Sequence, residues 1–216
     1  MKRLTALVLV LCQIFILSAQ AESVDLSGMS LEQLIQLKSN INGAIALAEA
    51  GTDVLDSATR KSPAAVGQSV TVSASQGSKY SYTMLITVDE FYRGDAFTAL
   101  MSGKHVQEAG EGRENVAVSV TVTFVSLDSI DAEKAGTDDP DVAVNAIFNF
   151  ETYTSDGAEY DNVHYDVPDT EALTNLYEGA TTSGYFYFEA NTDDPAPYLV
   201  YNPSSFGEDT VWISLK

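Results

Sequence analysis

The side chains able to do chemistry in this chain are almost all carboxylates. Its 216 residues hold 31 Asp and Glu against 11 Lys and Arg, for a formal net charge of −20. Carboxylate pairs of the kind glycosidases use are abundant, and for that reason no pair stands out. His105 and His164 are the two imidazoles. His105 lies in a polar, Gly-flanked segment and His164 ends a strand-like run, so both read as solvated or hydrogen-bonded surface histidines, not general bases. No G-x-S-x-G, H-E-x-x-H, P-loop or dinucleotide fingerprint occurs, and Gly110-Glu111-Gly112 has Asn115 where the third glycine belongs. No catalytic residue and no cofactor is expected. Nucleic acid is excluded as a partner, because phosphate binding needs a basic footprint.

Two groups of residues remain as candidate sites. Asp138, Asp139 and Asp141 cluster in one loop and Asp193 and Asp194 in another. Hard oxygen ligands on loops suit weak calcium binding outside the cell, but no EF-hand spacing is present. A solvated acidic loop is the favoured reading. The second group is aromatic. If Phe186 and Phe188 face a core, Tyr185 and Tyr187 point outward from the same strand, and Tyr198 and Tyr201 follow on the next with opposite parity. Such a row can stack sugars or anchor a protein; the plainer reading is a covered sheet face.

The elements that must position these residues begin after a leader. Lys2 and Arg3 precede an apolar run from Leu4 to Leu17, and Ala19-Gln20-Ala21 supplies the small residues of a cleavage site. Residues 1–21 are therefore expected to be a cleaved signal peptide, the run being shorter than the roughly 20 residues a membrane span needs. Leu11 stands before Cys12 in mid-run, where a lipobox needs a small residue, so Cys12 reads as filler. Cleavage removes Lys2 and Arg3 and no acid, which takes the net charge from −20 to −22.

Residues 22–65 are expected to hold a polar lead-in, a helix and a linker. Ser30 with Gln33 makes a capping box. Leu31, Leu34, Ile35, Lys38, Ile41, Ile45 and Ala48 then follow a helical period to about residue 50, and Gly51 stops it. From Gly67 the period changes to two. Strands are predicted at 68–74, 80–88, 116–125, 142–154, 158–165, 183–190, 197–201 and 210–215, with Ser155-Asp156-Gly157 as a hairpin turn. Short helices are predicted at 94–101 and 169–178, and an acidic loop at 126–141. Val116, Val118, Val120, Val122 and Phe124 share one face, whose burial contributes on the order of 10 kcal/mol before ordering costs. Val211, Ile213 and Leu215 put Trp212 on the opposite face, expected to lie under the 30–50 helix. The fold class is all-β: an antiparallel sandwich of 7–8 strands over residues 66–216, behind one amphipathic helix.

Four passages, in order, resemble a known group. They are Val66-Gly67-Gln68-Ser69-Val70; Arg93-Gly94-Asp95-Ala96 with Glu111-Gly112-Arg113-Glu114-Asn115 and the Val-rich strand; Phe150 with the Ser155-Asp156-Gly157 hairpin; and Leu176-Tyr177-Glu178-Gly179 with Ser183-Gly184-Tyr185-Phe186-Tyr187-Phe188, ending in Trp212-Ile213-Ser214-Leu215. Together they resemble the secreted immunoglobulin-like domains of unknown function in Gram-positive bacterial lipoproteins and exported proteins, which are similar in fold to a mycobacterial secreted antigen. The chain departs from that group in lacking a lipobox. The resemblance implies an immunoglobulin-like sandwich outside the cytoplasm and transfers no catalytic residue. The expected function is a secreted, non-enzymatic binding, adhesive or structural module of the bacterial envelope or its surroundings, with an unknown protein or glycan partner. The alternatives are a carbohydrate-binding module with a tyrosine face, and an inhibitor or chaperone-like partner of another exported protein.

Overall fold

The computed structural model describes residues 26, 28–30, eight positions between 33 and 48, 54–76, 79–130, 144–145, 149–160, 175–203 and 210–216. The leader at 1–21, Cys12, His164 and the Asp138, Asp139 and Asp141 cluster lie outside the described residues.

The capping box forms as its spacing predicts. The Ser30 amide donates to Gln33 Oε1 at 2.8 Å, and the Gln33 amide donates to Ser30 Oγ at 3.2 Å. The described residues from Gln33 to Ala48 are helical.

Eleven strands follow among the described residues. A five-stranded sheet runs in the order β1 (Val54–Leu55), β3 (Ser69–Gln76), β4 (Tyr80–Tyr92), β5 (Arg113–Ile130), β9 (Thr181–Asn191). A four-stranded sheet runs β2 (Ala64–Ala65), β11 (Val211–Ser214), β10 (Tyr198–Tyr201), β7 (Phe150–Tyr153). β6 (Val144–Asn145) and β8 (Asn175–Leu176) form a separate pair. One short helix, α1 (Asp95–Leu100), links β4 to β5.

The alternation on the sequence is what drives both sheets together. Val70, Val72, Met84, Ile86 and the even-numbered residues 116–124 of the first sheet share one core with Phe150, Leu199, Tyr201, Val211, Ile213 and Leu215. Phe150 and Phe186 meet across it with ring centroids 4.7 Å apart, and the Tyr201 hydroxyl donates to Met84 Sδ at 3.2 Å.

The structure corrects four expectations. The sheets are mixed, not antiparallel: β1 runs parallel to β3 and β2 parallel to β11. The stretch read as a linker thus supplies an edge strand to each sheet. The run at 142–154 is divided between β6, which pairs with β8, and β7, which pairs with β10. The stretch assigned to a second short helix ends in strand β8, because Leu176 is buried in the core. The return strand after the 155–157 turn begins as one bridge, Glu159 to Tyr153, and its residues 161–165 lie outside the described ones.

Candidate functional site

The outward face of β4, β5 and β9 gathers side chains able to hold a ligand. Its geometry is set by one bulge. Up to Val88 the even-numbered residues of β4 face the core. A register shift between Val88 and Glu90 inverts the parity, so Phe91 packs on the core and Glu90 and Tyr92 turn outward. Strict alternation would have buried the Glu90 carboxylate without a partner, at a cost of several kcal/mol. The inserted residue relieves that conflict.

The register then lays out rows across three strands. Tyr92 opposes Ala117, which opposes Tyr187; Glu90 opposes Ser119, which opposes Tyr185; Thr87 opposes Thr121, which opposes Ser183. Small residues on the middle strand let the flanking rings lean together, with Tyr92 and Tyr185 6.2 Å apart and Tyr185 and Tyr187 6.0 Å apart at 29°. Tyr187 is 6% exposed, packed with Phe97 and Met101 at α1. Tyr92 and Tyr185 remain half-exposed. Below them Thr121 Oγ1 donates to Asp89 Oδ2 at 2.8 Å and lies 2.8 Å from Ser183 Oγ. Burial raises the Asp89 carboxyl above the usual range, against the hydrogen bond from Thr121, and neighbouring Glu90 adds to the rise. Tyr92 donates to Glu90, and that bond, with burial adding, pushes its phenol up. The face offers ring surfaces beside hydroxyl and carboxylate groups at strand spacing. Such a surface can hold a polyhydroxylated or hydrogen-bonding partner.

The four predicted tyrosines do not form one surface. Tyr185 and Tyr187 share the face above. Tyr201 is wholly buried between the sheets. Tyr198 lies on the outward face of the other sheet, beside Tyr153 and Trp212. Ring centroids there are 5.4 Å apart for Tyr198 and Trp212, and 5.2 Å for Tyr153 and Trp212. Trp212 does point away from the core, as its parity predicts. Its ring contacts among the described residues are these tyrosines and the Arg60 guanidinium, 5.8 Å above the ring. Arg60 also donates to the Asp156 carbonyl. Tyr92, Tyr153 and Arg60 escaped the sequence reading; the Asp89-Glu90 pair, which breaks the alternation of its strand, is the signal that could have found Tyr92.

The acidic candidates separate as well. Asp193 is exposed. Asp194 is 6% exposed, and its carboxylate accepts from Tyr160 Oη at 2.7 Å, the Ser155 amide at 3.0 Å and the Ala196 amide at 3.2 Å. Burial alone would raise this carboxyl, but the hydrogen bonds outweigh it and hold it below the usual range. Arg93 braces the same loop. It pairs with Glu114 and donates to the Asp194 carbonyl at 2.8 Å. Among the described residues no group of three or more His, Cys, Asp or Glu could hold a metal ion. His105 is exposed.

Tyr160 is pushed up to about 12 by burial and by its bond to Asp194, and Tyr153 to about 12 chiefly by its bond to Glu151. Both shifts favour the protonated folded form. Their stabilisation is complete below the unfolded phenol value of 10.0 and is lost as pH rises through about 12. The melting temperature is expected to fall across that window while tyrosinate absorbance lags behind that of free tyrosine. A flat melting curve there would contradict these bonds.

No family model matches the chain, and no curated protein matches it. Two solved structures are similar to it, both from Bacillus subtilis. The "putative lipoprotein (ycdA)" is 12% identical with a TM-score of 0.42, over 62% of this chain and 36% of that one. The yjhA protein is 14% identical with a TM-score of 0.41, over 71% of this chain and 99% of that one. The chain thus spans about a third of the first protein's length. Among the described residues no helix is long and apolar enough to cross a membrane.

Proposed function

We propose that this chain is a bacterial exported domain, an immunoglobulin-like sandwich without catalytic activity. On this reading it serves as a binding, adhesive or structural module of the cell envelope or the extracellular space. The leader-like residues 1–21 support export, and the four ordered passages support the fold. The observation that carries the binding reading is the pair Tyr92 and Tyr185, partly exposed beside Asp89, Ser119, Thr121 and Ser183 on the outward face of the first sheet. Aromatic rings with a polar rim are where interfaces concentrate their energy.

A second reading, a carbohydrate-binding module, draws on the same face. Ring surfaces beside paired hydroxyls suit the C–H face and hydroxyl edge of a neutral sugar, and the net charge of −20 disfavours a polyanionic glycan. Tyr92 takes the place beside Tyr185 that the buried Tyr187 does not fill.

Retention of the purified chain on isolated cell-wall material and on a glycan array tests both. Tyr92→Ala with Tyr185→Ala is expected to weaken retention by about tenfold or more, with the β-sheet circular dichroism retained. Loss on the array as well selects the glycan reading. Retention that ignores both substitutions removes this face from the account, and turnover of any substrate by the pure chain removes the non-enzymatic one.

A further inference from the structure

The second sheet carries an aromatic face of its own, turned away from Tyr92 and Tyr185 because the two sheets share one core between them. In register, Tyr198 lies between Ser214 and Tyr153, and in the next row Val200 lies between Trp212 and Glu151. The rings of Tyr153 and Tyr198 close on Trp212 at 5.2 and 5.4 Å, and all three are partly exposed. Carboxylates flank them. Glu151 accepts from Tyr153 Oη at 2.7 Å and from Asn202 Nδ2 at 3.2 Å, and Glu159 bridges to Tyr153. Ring faces beside carboxylates attract a cation.

The chain itself supplies one. Thr59 and Ser62 exchange backbone hydrogen bonds of 3.1 and 3.0 Å, so Arg60 and Lys61 form the tip of a tight turn. From there the Arg60 guanidinium reaches over Trp212 at 5.8 Å and donates to the Asp156 carbonyl. The place is shaped for it: Gly157 has φ +91°, and a Cβ there would collide with the guanidinium. Arg60 is nonetheless exposed, on a turn outside both sheets, so its side chain can swing off the ring without breaking a ladder bond. We infer that this face is a recognition site for a guanidinium or ammonium side chain on a basic peptide segment of a partner, and that Arg60 fills it as an internal competitor. The net charge of −20 draws such a segment in and repels an acidic one or a second copy of this chain.

Trp212 is the one tryptophan of the chain, so its indole N–H resonance reports on this face. An end-blocked triarginine peptide is expected to shift that resonance saturably. Arg60→Gln, which empties the place over the ring, should tighten binding by about tenfold. Lys61→Gln changes the charge equally and should leave binding as it was. Tyr198→Ala should weaken it about threefold or more, with the β-sheet circular dichroism retained. Tyr92→Ala with Tyr185→Ala should not move it, so failure here and failure of the face on the first sheet are distinguishable. An Arg60→Gln chain whose indole ignores the peptide up to about 5 mM, a weak range for association, overturns the inference. So does an equal response to the citrulline peptide, which keeps the shape and lacks the charge, or equal tightening by Lys61→Gln. Weaker binding by Arg60→Gln overturns it too, since Arg60 would then be touching the ligand.

Discussion

Asp194→Ala is expected to lower the melting temperature by about 6–12 °C. The substitution strands three donors at once, the Tyr160 hydroxyl and the Ser155 and Ala196 amides. Tyr160 is itself buried, so water does not replace the lost acceptor. A stranded buried group costs about 1–3 kcal/mol, and taken together the loss is about 3 kcal/mol. For a domain of this size each kcal/mol moves the midpoint by about 2–4 °C. Asp194→Asn keeps one acceptor oxygen and should lose less. The pH dependence follows from the lowered carboxyl. In the window between the folded and unfolded values the unfolded chain binds more protons. The contribution is therefore present above the unfolded value of 3.8 and lost as pH falls through the folded one. Asp194→Ala should flatten that acid limb. If the variant instead melts like the parent and loses only a stabilisation by millimolar calcium, the residue is a ligand and this account of it fails.

Deletion through residue 65 is expected to cost more than deletion of the helix alone. Residues 54–65 bridge the two sheets at one edge, pairing with β3 at Val54–Leu55 and with β11 at Ala64–Ala65. Ala58 and Ala64 are buried in the shared core, and the Trp212 amide donates to the Ala58 carbonyl at 3.0 Å. Losing these pairings and the burial should lower the midpoint by about 10 °C or more. It should also red-shift Trp212 emission, because Arg60 no longer covers the ring. Deletion through residue 50 should leave the emission where it was. Equal emission from the two deletions would show that Arg60 does not shield the indole.

Much of the first sheet was legible because its long strands carry their own signal. β3, β4 and β5 alternate over many residues, and burial of one face is the only arrangement that satisfies them. β1 and β2 were not legible. Each is two residues long, Val54–Leu55 and Ala64–Ala65, and exists only because a distant strand offers its edge. The split of 142–154 had no local cause either, since the run alternates throughout and its two halves differ only in their partners. The candidate site was half legible. Tyr185 followed from Phe186 and Phe188 on the same strand. Tyr92 required the bulge, and the covering of Tyr187 required α1 to pack Phe97 and Met101 over it. Parity places a side chain on a face; it says nothing of what lies above that face. Arg93 and Glu114, both in the second of the ordered passages, prove to be one ion pair that joins the end of β4 to the start of β5.

The parallel pairing of β2 with β11 has a consequence for how the molecule is made. A ribosome releases Ala64 long before Ile213, its partner in the ladder. The β2 edge of the second sheet must therefore wait, unpaired, until β11 is available. Closure of that sheet joins segments remote in sequence and should be the slow phase of refolding, since such contacts form late. A chain in which β11 has not yet docked has no partner for β2, and is open to capture by other strands or by proteases until it does.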